Sequence, residues 1–375
     1  MKFIKKLMLL VGVLLTLASC SDGAEEMVPM EWESDLPSVT VIYSVSGPGD
    51  NGYVDLMVKG ISHFTDSTNV EIHTLAPKSM EEARKQFDQW LQSTQGKDRK
   101  HLLILGGSDY EVFLDDCPDM TDQRRTVLRS ESEKQDLPQG VCTAIIDREG
   151  PMYLAGALCA RTAAYIVAAT PQDKVLARAI NAFRMGYEKY SGGMPLEPVH
   201  YLSDGWDGYM MTFEAYSYIT DVLNDRMSMA FEMGDIAQMR HIVVPLAGFS
   251  NTSIYYHAVQ NNFGLASCQA VVGMDVDFSD RVDMAPFSVV LRLDDLLTDN
   301  INRWLAGEEL PSHHTYTMHE GYSDVVLNPN FNMSSFYNME EIELPEEEGG
   351  GTTLVYLAPD YWQRRYEELK SIEHH

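Results

Sequence analysis

Val39-Thr-Val-Ile-Tyr-Ser-Val-Ser-Gly-Pro-Gly-Asp-Asn-Gly-Tyr-Val-Asp-Leu-Met-Val-Lys-Gly60 is the stretch that decides the fold. Its first residues alternate β-branched side chains, which predicts a strand. The Gly47-Pro-Gly49 turn ends that strand, and apolar residues at helical spacing follow from Asp50 to Phe64. Strand, glycine turn and helix form the first half of a βα unit. Because ligands of open α/β sheets bind at the carboxyl ends of the strands, we expect this turn to form one wall of a ligand site.

The rest of the chain continues the alternation of strands and helices, which predicts parallel sheets. A buried apolar run, 101–105, ends in a second glycine turn, so Gly107 is a further candidate for ligand contact. We expect surface structure over 115–138, one long buried helix over 152–169 and a short strand over 174–177. The other predicted strands span 70–75, 140–146, 198–202, 241–248, 270–277 and 315–327, and the other predicted helices 80–92, 180–190, 210–231, 253–261, 291–305 and 361–372.

Two βα series of similar size indicate two lobes with a cleft between them. We place the first lobe at 38–150 with about 288–310, and the second at 151–287 with about 311–338. We expect residues 339–375 to form an acidic, solvated loop over 339–351 and a C-terminal extension with an added strand over 352–357. The expected fold class is therefore α/β.

The N-terminus predicts export and lipidation. Lysines precede a short apolar run that is typical of a signal-peptide core and short for a membrane span. The run ends in Leu17-Ala-Ser-Cys20, which resembles a bacterial lipobox. We expect residues 1–19 to be a signal peptide, Cys20 to carry lipid, and 20–37 to be a linker. The cell envelope is the expected location.

Composition limits the classes of partner. The chain has 56 acidic and 28 basic residues, a formal net charge of −28. Because affinity for nucleic acid comes largely from Lys and Arg, we expect no nucleic-acid partner. Four widely spaced cysteines, without any Cys-x-x-Cys, are expected to be buried apolar residues or to form one or two disulfides (Cys117, Cys142, Cys159 and Cys268). No metal or other cofactor is expected.

Acids and a tryptophan mark the candidate site. Asp50 opens a helix, where it either caps the helix or accepts hydrogen bonds from ligand hydroxyls. Asp275 and Asp277 end a predicted strand with period-two spacing, which points both to one face and suits hydroxyls, although strand-end acids are also common in turns. Trp206 lies in a loop of aspartates and glycines, where it either stacks on a ring-shaped ligand or covers a lobe edge.

One segment has a nucleophile pattern. Gly248-Phe-Ser250-Asn-Thr252 is half of a nucleophile elbow, with a threonine in place of the closing glycine that the sharp turn requires. A serine hydrolase that uses Ser250 is therefore an alternative function.

Five collinear segments carry a family resemblance. They are Gly47-Pro-Gly-Asp-Asn-Gly-Tyr-Val-Asp55 with Gly60, Arg148-Glu-Gly-Pro-Met-Tyr-Leu-Ala-Gly-Ala-Leu-Cys-Ala160, Phe183-Arg-Met-Gly-Tyr187, Val243-Val-Pro-Leu-Ala-Gly248, and Val272-Gly-Met-Asp-Val-Asp-Phe278 followed by Ser288-Val-Val. Together, over 38–328, they resemble the basic membrane lipoprotein family of extracytoplasmic solute-binding proteins, the purine-nucleoside receptor group.

The resemblance implies a type I periplasmic-binding fold: two Rossmann-like lobes, a multi-strand hinge, an enclosed ligand and delivery to an ABC importer. It implies that Asp50, Asp275 and Asp277 hold ribose hydroxyls and that Tyr53 lines the base side. Asp55 lies within the matched segment and joins the candidate ligand-binding residues. Backbone contacts are implied for Gly248 and its neighbours Phe249, Ser250 and Asn251. The chain departs from the family at Tyr53-Val54, where a Phe-Asn pair is usual, and at Leu291, where a lysine is usual.

The sequence thus predicts a lipid-anchored, non-enzymatic binding protein for a nucleoside or related polyol, attached to the membrane through its lipid and partnered by an ABC permease. A second alternative is a surface lipoprotein with the same fold that acts as a structural or interaction component. A pocket filled by its own side chains would favour that alternative.

Overall fold

The computed structural model describes residues 35–121, 124–132, 134–160, 162–193, 195–234, 239–261, 269–280, 285–331, 339–343, 352–356 and 366–367. The strands of the two lobes are β1 (Ser38–Ile42), β2 (Glu71–Leu75), β3 (His101–Leu105), β4 (Arg125–Ser130), β5 (Val141–Ile146), β6 (Ala163–Ala168), β7 (His200–Tyr201), β8 (His241–Leu246), β9 (Gln269–Val271), β10 (Gly273–Asp275), β11 (Phe287–Leu291), β12 (His313–Tyr316) and β13 (Ser323–Leu327). The helices are α1 (Tyr53–Ser62), α2 (Met80–Thr94), α3 (Glu149–Cys159), α4 (Lys174–Tyr190), α5 (Thr212–Met233), α6 (Asn251–Gln260) and α7 (Leu293–Leu305).

The first lobe is built on a six-stranded parallel sheet in the order β12-β5-β4-β3-β1-β2. The strand β3 is buried along its whole length, as expected of a strand covered on both faces. One face packs on α1 and α7 through side chains such as Met57 and Ile301, and the other packs on α2 through Phe87 and Trp90.

The second lobe is built on a four-stranded parallel sheet in the order β7-β6-β8-β9. Its apolar core joins these strands to α3–α6 and includes Phe183, Ile219 and Ile242, all fully buried. The two lobes with parallel sheets confirm the predicted α/β fold class.

Over the described residues up to the end of β13, the chain passes between the lobes three times. It leaves the first sheet after β5 to form α3, returns from β11 into α7, and leaves again between β12 and β13. A small mixed sheet, β10-β11-β13, lies on this path, with β10 parallel and β13 antiparallel to β11. Several strands thus connect the lobes.

Four details of the predicted secondary structure were wrong. The region 115–138 contains β4, a buried central strand. The apolar run 152–169 is the end of α3 followed by β6, and 174–177 is the first turn of α4. Within the predicted loop 339–351, residues Met339–Glu343 form β14, which pairs with β15 (Thr352–Tyr356).

The strand β12 also departs from the expected lobe division. It pairs in parallel with β5 of the first sheet, although the sequence assigned residues from about 311 to the second lobe. The helix α7 packs on α1 of the first lobe, where Lys59 Nζ lies 2.5 Å from Asp294 Oδ2. The other predicted lobe boundaries stay a prediction.

Several predictions fall outside the described residues: the signal peptide, Cys20 and most of its linker, Cys268, and most of the predicted C-terminal helix. Among the described cysteines, Cys117, Cys142 and Cys159 are buried and form no disulfide with one another. None of the described helices has the length and apolar character that a membrane crossing requires.

Candidate functional site

An interlobe cavity lies where the carboxyl ends of the strands of both sheets meet, as expected for open α/β sheets. Its lining includes residues that follow β1, β3, β4, β5, β6, β7 and β8, together with the end of β10 (Ser44, Gly107, Asp109, Glu131, Arg148, Asp173, Tyr209, Gly248 and Asp275). Its volume is about 80 Å³. Since a buried water needs about 10–15 Å³ of cavity volume on this measure, which counts the space open to the centre of a water molecule, the cavity has room for roughly five to eight water molecules.

Six of the predicted residues line this cavity: Asp50, Tyr53, Gly107, Gly248, Asn251 and Asp275. The others do not. Asp55, Phe249, Ser250 and Asp277 lie outside the lining, and Trp206 lines an adjoining cavity of about 220 Å³. The two cavities share Ser108, Glu131, Asp173 and Val175, so they are neighbours at the lobe interface.

Asp50 caps α1. Its Oδ1 accepts hydrogen bonds from the backbone N–H groups of Gly52 (2.9 Å) and Asp55 (3.2 Å), and its Oδ2 accepts from Val54 (2.9 Å). Burial raises the pKa of Asp50, and these donors oppose that rise. The carboxylate therefore occupies the anion position at the helix N-terminus, which is the capping interpretation of the sequence.

Asp55 holds the same turn closed. Its two oxygens accept hydrogen bonds from the backbone N–H groups of Gly49 (2.7 Å) and Asn51 (2.9 Å). The turn needs such support because Gly47, Gly49 and Asn51 all have left-handed backbone angles (φ +67°, +101° and +54°). Asp55 shapes the cavity wall without lining the cavity.

We expect Asp50→Ala to lower the free energy of unfolding by about 0.5–2 kcal/mol, because three backbone N–H groups at the start of α1 lose their acceptor. Chemical denaturation followed by circular dichroism measures the change. Asp66→Ala, in an exposed loop, is the control and should stay within about 0.5 kcal/mol of the parent. Equal stability of the two variants would contradict the capping role.

Asp275 reaches across to α1 from the end of β10. Its carboxylate accepts a hydrogen bond from the backbone N–H of Tyr53. A Cβ atom on Gly52 would lie 2.9 Å from its Oδ2, so the glycine makes room for the carboxylate. Asp275 itself has a left-handed backbone (φ +69°), a conformation that Asn and Asp tolerate best among residues with a side chain.

Asp277 lies in a turn. Its Oδ1 accepts hydrogen bonds from the backbone N–H of Ser279 (2.9 Å) and from the Ser279 hydroxyl (2.6 Å), and its side chain is exposed. The period-two spacing and the family resemblance both placed Asp275 and Asp277 on one wall of the site, but in the structure Asp275 lines the cavity and Asp277 does not. The left-handed residue at 275 ends the strand before the period-two spacing reaches 277.

Ser250 is held inside the second lobe. Its hydroxyl donates to the Gly208 carbonyl at 3.0 Å, and the residue is fully buried. A catalytic serine instead needs an exposed hydroxyl that donates to a base. The structure therefore removes the basis for the serine-hydrolase alternative.

Trp206 stacks on Tyr209, with ring centroids 6.2 Å apart and planes 12° from parallel. The Tyr209 hydroxyl donates to Asp173 Oδ2 at 2.5 Å. Trp206 therefore supports a residue of the cavity wall, and it also lines the adjoining cavity.

Four charged residues of the lining are absent from the predicted site. Glu131 accepts a hydrogen bond from Arg148 Nη1 at 2.5 Å, and both side chains are at least nine-tenths buried. Asp109 accepts from the Ser44 hydroxyl and from the Val45 N–H. Asp173 caps α4 through the N–H groups of Val175 and Leu176. All four follow a strand end, which is the signal in the sequence that could have found them.

Asp173 also connects the lobes. The Ser108 hydroxyl, in the first lobe, donates to its Oδ2, as does Tyr209 of the second lobe. Nearby, Lys174 Nζ lies 3.6 Å from Glu111 Oε1. These contacts hold the two walls of the cavity together in a closed arrangement.

Two carboxylate oxygens of the lining are unsatisfied. Asp109 Oδ1 and Glu131 Oε1 are buried and have no hydrogen-bond partner among the described residues. Burial raises the pKa of Asp109 to about 6, although the Arg129 guanidinium opposes the rise. Burial also raises the pKa of Glu131, against the attraction of Arg148. Nowhere in the described part of the chain do three or more His, Cys, Asp or Glu side chains form a group that could hold a metal ion.

The acids of the cavity predict how stability depends on pH. Burial raises the pKa of Asp109 and of Asp275 from 3.8 to about 6. Between pH 4 and 6 the folded state therefore binds more protons than the unfolded state, so the free energy of unfolding rises as the pH is lowered through 6. We expect the ligand-free protein to melt at a higher temperature at pH 5 than at pH 7.5.

The same thermal scans on Asp275→Asn test the cause. This variant removes one of the two acids and should show a smaller rise in melting temperature between pH 7.5 and pH 5. A melting temperature that falls over this interval, or a variant with the full rise, would contradict the assignment.

Comparison with known proteins identifies the fold. No family model and no curated protein sequence matches the chain. Among solved structures, an ABC transporter system solute-binding protein from Aeropyrum pernix K1 is similar, with a TM-score of 0.62 and 14% identity over 89% of this chain and 86% of that one. A Caulobacter myo-inositol binding protein bound to myo-inositol has a TM-score of 0.54 and 11% identity over 83% of this chain and 97% of that one.

A third similar structure is a transcriptional activator of the comK gene from Bacillus halodurans, with a TM-score of 0.55 and 12% identity over 89% of this chain and 96% of that one. At such identities the likeness shows the fold alone. The fold is that of periplasmic-binding proteins, as predicted. The closer resemblance to the basic membrane lipoprotein family stays a prediction.

Proposed function

We propose that this protein is a non-enzymatic solute-binding lipoprotein that captures a small hydroxyl-bearing molecule in the interlobe cavity and presents it to an ABC-type importer. The observation that carries the proposal is the interlobe cavity of about 80 Å³, whose described lining brings together five carboxyl groups. An ionised carboxylate only accepts hydrogen bonds, so it pairs with groups that donate. Hydroxyl groups of a ligand would supply such donors.

Both lobes contribute to the cavity, which supports capture by closure. Asp109 and Glu131 belong to the first lobe, Asn251 follows β8 of the second lobe, and Asp275 ends β10. Asn251 Oδ1 accepts a hydrogen bond from the Ala247 N–H, so its amide NH₂ can donate to a ligand. A ligand that bonds to both walls binds the closed form more tightly and shifts the population towards it.

The room in the site supports a compact ligand. The interlobe cavity of about 80 Å³ suits a single ring such as a monosaccharide or cyclic polyol. A nucleoside has two ring systems, and its base would have to lie in the adjoining cavity against Trp206. The similar structures whose names mention solutes include the myo-inositol binding protein and a glucose-galactose binding protein, which agrees with a compact polyol.

The location is proposed from the N-terminal sequence. The lipobox-like segment that ends at Cys20 supports lipidation and attachment to a bacterial membrane, and the linker 20–37 would leave the two lobes in the cell envelope beside a permease. Radiolabelled palmitate supplied to cells that express the full chain tests this. Label in the parent and no label in Cys20→Ser is the expected result, and an unlabelled parent would contradict it.

Calorimetry against monosaccharides, cyclic polyols and nucleosides tests binding. We expect saturable binding of a compact polyol or sugar by the parent, and none by Ser46→Trp, which fills the cavity from its wall. Thr68→Trp, in an exposed loop of the same lobe, is the matched control and should bind like the parent. A folded parent that binds no member of the panel would contradict the proposed function.

Trp206→Ala separates the two ligand classes. If the ligand is a single ring, the variant should bind it with nearly the parent's affinity, because Trp206 lines the adjoining cavity and Tyr209, on which it stacks, keeps its hydrogen bond to Asp173. If the ligand is a nucleoside stacked there, the loss should be about 1 kcal/mol or more.

The alternative of a structural or interaction component rests on a pocket filled by its own side chains. The side chains of the described lining leave a cavity of about 80 Å³ between them, which favours ligand binding. The same calorimetric panel separates the two functions.

A further inference from the structure

The hydroxyl groups of the cavity lining already donate hydrogen bonds inside the protein. This holds for each serine and tyrosine in the described lining, and the donor–acceptor pairs are Ser44 to Asp109, Ser46 to Ser44, Tyr53 to Ser130, Ser108 to Asp173 and Tyr209 to Asp173. The lining therefore offers a ligand few hydroxyl donors.

The acceptors of the lining are in excess. Five carboxyl groups belong to the described lining, and an ionised carboxylate accepts hydrogen bonds without donating any. The Asp275 carboxylate accepts from the Tyr53 N–H and retains further acceptor capacity, since an ionised carboxylate offers about four lone-pair sites. A ligand that fits must be rich in donors.

The lining also carries more negative than positive charge. The described lining contains five carboxyl groups and one guanidinium (Asp50, Asp109, Glu131, Asp173 and Asp275 against Arg148). Asp50 and Asp173 are held at the N-termini of α1 and α4, where the helix dipole favours negative charge. Glu131 pairs with Arg148, and the buried Arg129 attracts Asp109 from behind the wall.

Asp275 shares its one cationic neighbour in the lining with a second carboxylate. Arg148 attracts Asp275, but its Nη1 donates directly to Glu131, and both Asp50 and Glu131 repel the Asp275 carboxylate. We propose that the ligand carries a protonated nitrogen that binds at Asp275, so that the solute is an amino sugar or an aminated polyol. This inference rests on the proposed function and names the chemical class of its ligand.

Matched ligands test the charge. Glucose, glucosamine and N-acetylglucosamine, and the corresponding galactose series, differ at a single substituent, which is a hydroxyl, an ammonium or an uncharged amide. Calorimetry on the full two-lobed protein at pH 7.0 should show the ammonium member binding about tenfold tighter than the other two, because a charge-assisted hydrogen bond is stronger than a neutral one.

Asp275→Asn tests the position. Asn tolerates the left-handed backbone at 275, and the variant keeps a carbonyl acceptor while it loses the charge. We expect the ratio of the affinity for the ammonium member to that for the hydroxyl member to fall close to one. The affinity for the neutral sugar should change little. Asp277→Asn, two residues away and exposed in its turn, is the matched control and should keep the full preference.

The outcomes separate this inference from the proposed function. Neutral sugars that bind as tightly as their amino counterparts would overturn the charged ligand and leave the solute-binding function standing. A full ammonium preference in Asp275→Asn would overturn the role of Asp275. A well-folded protein that binds neither kind of sugar would overturn the function and the inference together.

Discussion

Arg148→Met is expected to lower the free energy of unfolding by about 3–5 kcal/mol, the cost of leaving one partner of a buried ion pair without the other. Arg148 and Glu131 are 8% and 5% exposed, and their side chains are joined at 2.5 Å at the junction between the lobes. The guanidinium also donates to the Ile146 carbonyl at 3.3 Å and lies over the Tyr53 ring at 5.9 Å. Removal of Arg148 therefore leaves Glu131 charged and buried. Urea denaturation measures the loss.

Two variants control this experiment. Arg303→Met breaks an ion pair of similar length, Arg303–Glu308 at 3.0 Å, but both side chains are exposed. Exposed pairs contribute about 0–1 kcal/mol, so this variant should be nearly neutral. Glu131→Gln added to Arg148→Met should restore part of the stability, because it removes the uncompensated charge. Equal effects of the two single variants would contradict a buried pair at the site.

Gly156→Ala is expected to lower the free energy of unfolding by about 3 kcal/mol, which is the upper end of the usual range for overpacking. A Cβ atom on Gly156 of α3 would lie 2.0 Å from the Phe183 carbonyl oxygen of α4, and one on Gly186 of α4 would lie 2.0 Å from the Tyr153 carbonyl oxygen. The two helices thus cross backbone to backbone at a pair of glycines. Alanine must push them apart, and this outweighs the roughly 1 kcal/mol by which alanine favours a helix over glycine.

The crossing matters for the site because α3 and α4 begin directly after Arg148 and Asp173. A displacement of either helix moves a charged wall of the cavity, so Gly156→Ala should also weaken ligand binding. Gly205→Ala is the control. The nearest atoms to its Cβ would belong to the flexible Asp207 and Ser203 side chains, and the change should stay within about 0.5 kcal/mol. A Gly156→Ala variant as stable as Gly205→Ala would contradict the close crossing.

The strand pattern of the sequence predicted the architecture but not every element. The strand β4 was missed because Arg125 and Arg129 lie in it, and charged residues are seldom buried. Arg129 is fully buried because Nη1 donates to the Leu105 and Ser130 carbonyls and Asp109 attracts its charge. These are tertiary contacts, which a local pattern does not contain.

Continuous apolar runs were ambiguous for a different reason. In 152–169 both α3 and β6 are almost entirely buried, so neither shows the alternation or helical periodicity that distinguishes them. The start of α4 was misplaced because the capping role of Asp173 was not recognised.

The candidate site was predictable in its location more than in its members. The rule that ligands bind at strand ends identified Asp50, Gly107 and Asp275 as wall residues. It did not predict that the Asp50 oxygens would accept hydrogen bonds from the backbone at the start of α1, or that Asp277 would lie in an exposed turn outside the cavity lining. Glu131 was hidden because its strand was missed, and Arg148 was quoted for the family resemblance without a role in binding.

The structure of the protein crystallised with the tightest-binding sugar of the panel tests the central claim most directly. We expect the ligand in the interlobe cavity, with polar atoms within about 2.6–3.2 Å of the Asp109 or Glu131 side chain on one wall and of Asp275 on the other. A saturating ligand found outside this cavity, or one that contacts a single lobe, would contradict the account.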